Sequence, residues 1–104
     1  PLTLDAELSR IARIKSADMR DNHYFAHESP TYGHVSDMLK TFGYSFSGAG
    51  ENIAHHATTE KAHAAFMSSD GHRRNIFSSA WQKVGLGIVY DANGYVYVTQ
   101  IFVR

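Results

Sequence analysis

Apolar positions near the start of the chain recur at helical spacing and predict a helix over residues 3–20. The stripe consists of Leu4, Leu8, Ile11, Ala12 and Met19. Thr3 is the expected N-cap, because a threonine oxygen there accepts a hydrogen bond from the first turn. Lys15 and Asp18 intrude beside the stripe, so we expect the helix to pack against a core and not on a membrane surface.

Three shorter segments show the same spacing. The predicted helices are 35–42, ended by Gly43, then a helix from Thr58 or Thr59 to about residue 68, and 71–77, capped by Asp70. Residues 21–34 contain Pro30 and Gly33, which break any period, so this stretch is expected to be irregular.

Near the end of the chain, the side chains show the two-residue alternation that is typical of β-strands. The predicted strands are 84–90 and 95–103, joined by an Asn93-Gly94 turn and preceded by a brief extended piece at 52–54. Gly85 and Gly87 predict that another backbone or a helix packs closely on the first of these strands. Helices first and a hairpin last favour an α+β fold with an antiparallel sheet covered by helices.

Composition narrows the classes of protein that remain. The 104 residues suit a single domain, residues 1–104. Ten acidic and ten basic side chains give no net charge, which argues against nucleic-acid binding. The absence of cysteine excludes disulfides and thiolate metal sites. No apolar run approaches the roughly 20 residues of a transmembrane segment. Seven histidines, however, are many for this length, and histidine is a natural metal ligand.

Three segments concentrate polar and titratable residues. They are Tyr24-Phe25-Ala26-His27-Glu28-Ser29-Pro30, Gly50-Glu51-Asn52-Ile53-Ala54 and Ser68-Ser69-Asp70-Gly71-His72-Arg73-Arg74-Asn75-Ile76. The chain has no HExxH helix, GxSxG elbow or P-loop, which disfavours the common zincin, serine-hydrolase and nucleotide-binding interpretations. Spacing alone does not show whether the three segments meet in space.

These segments, together with Val84-Gly85-x-Gly87 and a Thr99-Gln100-x-Phe102 ending, resemble the CAP superfamily (the SCP-like fold), in particular its cysteine-free bacterial branch. The resemblance extends over nearly the whole chain. It implies an α–β–α sandwich in which a small antiparallel sheet is flanked by helices, and an extracellular, secreted or cell-envelope location. It also implies a further helix ahead of Pro1, so we expect residues 1–104 to lack a preceding N-terminal segment of the domain.

The resemblance also implies a cleft with two histidines and two acidic residues. By position, His27 and His72 match the histidines and Glu51 matches the first acid. Phe66 stands in the place of a tryptophan, and Ser69 replaces the second acid. The residues expected to line the ligand-binding cleft are His27, Ser29, Glu51, Asn52, Ser69, His72, Asn75 and Gln100.

Two neutral imidazoles can bind Zn²⁺ or another divalent metal, so His27 and His72 are the candidate metal ligands. Glu51 would then either fix a histidine tautomer or act as a base on a bound water, which makes Glu51 and His72 the catalytic candidates. Alternatively, His27, Glu51 and His72 form a purely structural polar network, because buried polar groups must be paired in any case.

Three functions follow from these alternatives. The first is a secreted binding domain that takes a metal ion or a small extracellular ligand, such as a lipid or a cell-wall fragment. The second is a metal-assisted hydrolase or peptidase, which the missing second acid disfavours. The third is a structural or interaction module with a residual cleft. An exposed apolar patch beside the cleft would favour ligand binding.

Overall fold

The computed structural model describes residues 2–78 and 80–104, and the side chains of Asp70, Arg73, Asn75 and Phe77 lie outside this description. The elements follow the order β1 Thr3–Leu4, α1 Ala6–Asp21, α2 Val35–Thr41, β2 Ala49–His56, α3 Thr59–Ser68, α4 Asp70–Phe77, β3 Lys83–Tyr90 and β4 Val96–Val103. None of these helices is long and apolar enough to span a membrane within the described residues.

The sheet has the strand order β1-β3-β4-β2. β4 pairs antiparallel with both β3 and β2. The two residues of β1 pair parallel with β3, so the sheet is mixed and not purely antiparallel. The predicted α+β class is confirmed, and β1 is an addition that hydrophobic periodicity did not reveal.

Helices cover both faces of the sheet. α1 and α2 pack on one face, where Leu8, Ile11, Met38 and Leu39 meet Ile101 and Val103. α3 packs on the other face, where Ala62 and Phe66 meet Ala54, Val96 and Val98, and Ile76 of α4 joins them. Residues of β4 alternate between these two cores, as the two-residue period of a strand requires. The result is the expected α–β–α sandwich.

The start of α1 differs from the prediction. Asp5, and not Thr3, is the N-cap, and its side chain accepts a hydrogen bond from the backbone N–H of Leu8 at 2.9 Å. Thr3 belongs to β1 and donates its backbone N–H to Gln82 O. Thr3 and Asp5 are both common N-cap residues, so local preference did not separate them. The strand pairing decided the boundary.

Two other boundaries also move. α4 includes Asp70 and has Ser69 as its N-cap, so the predicted capping role of Asp70 is wrong. β2 extends over eight residues, although the sequence predicted only 52–54. Its outer residues include Gly50 and His56, which have no strand preference of their own and are extended because they pair with β4.

The close approach predicted at Gly85 and Gly87 is confirmed. A Cβ at Gly85 would overlap the backbone of Leu8, and one at Gly87 would overlap the backbone of Ala12 and Arg13. α1 therefore lies directly on β3 at these two positions, because only glycine leaves room for the helix backbone.

Candidate His–Glu site

His27 and Glu51 meet in the folded chain. His27 lies in the loop between α1 and α2, and its Nδ1 is 2.9 Å from Oε1 of Glu51 on β2. The side chain of His27 is 57% exposed, whereas that of Glu51 is 3% exposed. A neutral imidazole that donates Nδ1–H to a carboxylate keeps its Nε2 lone pair available. The contact therefore favours the tautomer of His27 in which Nε2 is the acceptor.

A buried lysine stands behind this pair. Lys15 of α1 donates from Nζ to the backbone oxygen of His27 at 2.6 Å, and the same Nζ is 3.6 Å from Glu51 Oε1. The Lys15 side chain is only 1% exposed. Burial lowers the pKa of Lys15, while the charges of Glu51 and Asp18 and a hydrogen bond with Glu51 act in the opposite direction. Lys15 thus provides a cationic partner for Glu51 inside the fold.

Glu51 is the acid of this site, and it is buried. Burial raises its pKa, and Lys15 and His27 counteract this only in part. Its second oxygen, Oε2, is buried and has no hydrogen-bond partner among the described residues. Buried polar atoms are normally paired. Glu51 therefore retains the capacity to accept a hydrogen bond from a ligand.

His72 approaches from α4. Its ring packs against Phe66 of α3 with the two centroids 5.2 Å apart. Burial lowers the pKa of His72, and the charge of His27 lowers it further, so the neutral ring is favoured. His72 Nδ1 is buried without a hydrogen-bond partner in the described residues. A neutral ring with an unpaired nitrogen has the properties of a metal or hydrogen-bond ligand.

Asn52 and Gln100 brace the α4 side of the site. Asn52 is fully buried and donates from Nδ2 to His72 O and to Gln100 Oε1, each at 3.1 Å. These bonds connect the backbone of α4 to β2 and β4. Asn52 therefore positions His72 through its backbone, and Gln100 supports Asn52.

The candidate site involves both faces of the sheet at β2, which is an outer strand. Glu51 and Asn52 are neighbours on β2, so their side chains point to opposite faces of the sheet. Glu51 lies on the α1 face with Lys15, and Asn52 lies on the α4 face with His72. Because β2 is an outer strand of the sheet, groups from both faces can approach each other around its free edge. His27 contacts Glu51 directly, and the charge of His27 acts on His72, so we call these three residues the His–Glu site.

Ser29 lies in the same loop as His27, two residues farther along the chain. Its hydroxyl donates to Asp18 Oδ2 at 2.6 Å and accepts from the backbone N–H groups of Thr31 and Tyr32, both at 3.0 Å. The residue is 4% exposed. Ser29 thus has its hydrogen bonds with the loop and α1, and its part in contacting a ligand stays a prediction.

The remaining predicted cleft residues lie at α4. Ser69 is the N-cap of this helix and is partly exposed. The side chain of Asn75 lies outside the described residues. Within the described part of the chain, no group of three or more histidine and acidic side chains could hold a metal ion. A metal at this site would therefore depend on His27 and His72 with few further protein ligands.

An apolar pocket of about 160 Å³ lies between α3 and the sheet. Its lining residues are Thr59, Ala62, His63, Phe66, Leu86, Ile88, Val98 and Gln100. Phe66 also contacts the ring of His72, and Gln100 also supports Asn52, so the pocket shares two residues with the surroundings of His72. A cavity of about 150 Å³ can hold a group the size of benzene.

These features define the class of protein. It is a domain with helices on both faces of a sheet and a histidine site at the outer strand β2. The chain belongs to the CAP family, described as the cysteine-rich secretory protein family, whose model matches residues 1–102. It does so without a single cysteine.

Two Bacillus subtilis proteins are similar in sequence. YkwD is 50% identical over 90 residues, which cover 86% of this chain and 35% of YkwD. YlbC, described as a membrane protein, is 34% identical over 104 residues, which cover 99% of this chain and 29% of YlbC. The chain thus spans about a third of the length of these curated relatives.

Solved structures show the same fold. An extracellular SCP-domain protein of Bacillus anthracis superposes with a TM-score of 0.87 at 38% identity, over 99% of this chain and 33% of that one. An outer surface protein of Borrelia burgdorferi superposes with a TM-score of 0.89 at 16% identity, over 99% of this chain and 77% of that one. The second likeness concerns the fold alone.

Sequence reasoning missed two residues that the structure ties to the site. Lys15 and Asp18 stand out in the sequence only because they interrupt the apolar stripe of α1. That interruption was the available signal, since lysine and aspartate are seldom buried without partners. The identity of those partners depends on a loop and a strand far along the chain, so periodicity did not reveal it.

Proposed function

We propose that this chain is a secreted, extracellular binding domain whose His–Glu site takes a divalent metal ion, Zn²⁺ in the first instance, on ring nitrogens of His27 and His72. The contact of 2.9 Å between His27 Nδ1 and Glu51 Oε1 carries the proposal. Histidines that ligate a metal commonly donate their other ring N–H to a carboxylate, which fixes the tautomer. The likeness to an extracellular SCP-domain protein of Bacillus anthracis, at 38% identity, supports the proposed location.

The residues present fit such an ion. His72 Nδ1 is buried and unpaired among the described residues, and its ring favours the neutral form that a metal requires. Two histidines leave positions on the metal for a ligand oxygen. Bound zinc supplies a Lewis acid that polarises such an oxygen. The chain's own contribution is to hold two imidazoles near the sheet edge, with Glu51 in contact with one of them.

Binding, and not hydrolysis, is the function we propose. A hydrolase needs a base that is free to take a proton from water. Glu51 is the candidate, but its Oε1 is engaged by Lys15 and His27, and its Oε2 is buried away from solvent water. Ser69, which stands in the place of a second acid, does not titrate in the range where it could serve instead.

A small organic ligand with an apolar group is the second candidate. The pocket between α3 and the sheet favours this candidate, because it shares two residues with the surroundings of His72. Phe66 lines the pocket and contacts the ring of His72, and Gln100 lines the pocket and accepts a hydrogen bond from Asn52. Its volume of about 160 Å³ suits one small apolar group of a larger molecule, such as part of a lipid or a cell-wall fragment.

The test is calorimetric titration of Zn²⁺ into the metal-free domain and into a His27→Ala/His72→Ala variant. We expect one equivalent to bind the wild type and none to bind the variant. His72→Ala alone should abolish binding with little loss of fold. A His34→Ala/His63→Ala variant is the matched control, since it also removes two imidazoles but from exposed positions.

Each other outcome has a defined meaning. Equal zinc binding by wild type and site variant would overturn the assignment. A wild-type domain that binds no zinc would contradict the metal proposal and direct the search to lipids and wall fragments. A large loss of stability in the site variant would support the purely structural network.

A further inference from the structure

The loop that carries His27 has little backbone attachment of its own. In the part of the chain that the structure describes, residues 23–33 reach α1 through the N–H of Tyr24 and the carbonyl of Met19. Farther along, Ser29 and Gly33 bond to each other within the loop. Backbone pairing with the described helices and strands therefore does not set the position of His27.

Side chains of α1 perform this attachment instead. Lys15 Nζ donates to the carbonyl of His27 itself at 2.6 Å. One turn farther along, Asp18 accepts from Ser29 Oγ at 2.6 Å, from Thr31 Oγ1 at 3.0 Å and from the hydroxyl of Tyr24. Both anchors are largely buried, with Lys15 at 1% and Asp18 at 9% exposure.

These two residues are poor choices for stability alone. Burying a charged side chain is costly, and replacing a buried ion pair by apolar groups is often neutral or stabilising. Lys15 and Asp18 occupy the buried side of α1, where an apolar residue would fit the stripe. Their charged groups form hydrogen bonds with the loop that apolar side chains could not form, and these bonds hold the loop in a fixed position relative to α1.

We infer that Lys15 and Asp18 form a clamp on the loop at 23–33, and that this clamp positions His27 against Glu51 and the ligand of the His–Glu site. Both are positioning residues, because their contacts reach the ligand only through His27, Ser29 and Glu51. The inference rests on the proposed function only for its zinc readout. Sites of this kind require supports that hold the ligating groups to about 0.5 Å.

Ser16 offers a matched control. It lies between the two anchors on α1 and is fully buried, but its hydroxyl bonds to Gly87 O at 3.0 Å and Thr99 Oγ1 at 2.7 Å. Ser16→Ala therefore removes buried hydrogen bonds from the same helix without touching the loop. Lys15→Met and Asp18→Ala remove the two anchors, and Asp18→Asn keeps one carbonyl acceptor.

The experiment records NMR signals of the His27 ring in the metal-free variants, urea unfolding, and the Kd for Zn²⁺. We expect Lys15→Met and Asp18→Ala to shift the His27 ring signals and to weaken zinc binding by about 10–100-fold, as loss of a supporting partner commonly does. Asp18→Asn should retain more of both properties than Asp18→Ala. Ser16→Ala should lose stability while its His27 signals and Kd stay as in the wild type.

The clamp is overturned if Lys15→Met and Asp18→Asn show wild-type His27 signals, or if Ser16→Ala changes them as much. These variants keep the test valid even where Asp18→Ala does not fold. A wild-type domain that binds no zinc would defeat the proposed function, and the ring signals of the metal-free protein would still decide on the clamp.

Discussion

Single residues decide how closely the layers of this domain approach. Gly85 and Gly87 alternate with Leu86 and Ile88 on β3, so both glycines face α1. The backbone of α1 occupies the space where their side chains would be. The same close contact brings Ser16 within reach of Gly87 O, and it fixes the height of α1 above the sheet.

We expect Gly87→Ala to lower the free energy of unfolding by about 3 kcal/mol, since the added methyl group would press on rigid helix backbone. Chemical denaturation would measure the loss. Gly71→Ala is the control, because a Cβ at Gly71 meets nothing within 4 Å and alanine is the better helix former. Equal stability of the Gly87 variant and the wild type would mean that α1 can move away at little cost.

At the scale of elements, the start of α1 depends on two contacts of Asp5. Its Oδ2 accepts the N–H of Leu8 at 2.9 Å and the hydroxyl of Tyr44 at 3.1 Å. The first contact caps the helix, and the second connects α1 to the segment between α2 and β2. Asp5 therefore ends β1 and begins α1 at a place that tertiary contacts help to define.

Asp5→Ala should cost about 1 kcal/mol in the free energy of unfolding, the usual effect of losing an N-cap side chain. Thr3→Ala should cost less, because Thr3 takes part in β1 through its backbone and its side chain is exposed. The two variants compared by urea unfolding test the revised boundary. A larger loss of stability in Thr3→Ala than in Asp5→Ala would mean that Thr3 is the N-cap, as the sequence pattern predicted.

Across the whole molecule, the Asp18 carboxylate connects stability to pH. Burial by itself raises the pKa of Asp18, but hydrogen bonds from Ser29, Tyr24, Thr31 and Asn22 outweigh burial and lower the pKa. In acid the unfolded chain therefore binds the proton more readily than the folded chain does. This stabilisation is present above about pH 4, the ordinary pKa of aspartate, and is lost as pH falls through the depressed pKa of the folded state.

Asp18→Asn should accordingly reduce the difference in unfolding free energy between pH 7 and pH 3. Urea unfolding at both values measures this difference. Glu28→Gln provides the comparison, since the side chain of Glu28 is 70% exposed. An unchanged difference in the Asp18 variant would show that its hydrogen bonds persist after protonation.

Much of the fold was predictable because its signals are local. The stripe of Leu8, Ile11 and Met19 predicted α1, and the alternation before and after Asn93-Gly94 predicted β3 and β4. Both patterns repeat within a few residues, so the sequence alone was enough to interpret them. The family was also evident from short motifs whose order and spacing survive in this chain.

Only the tertiary structure decided the boundary at Asp5, the full length of β2 and the surroundings of Glu51. Each depends on residues far apart in sequence: Thr3 on Gln82, Gly50 on Phe102, and Glu51 on Lys15. The sequence by itself determined which side chains could do chemistry at the sheet edge. Folding determined which of them form ion pairs and hydrogen bonds with each other, because a buried polar group must find its partners among the residues packed around it.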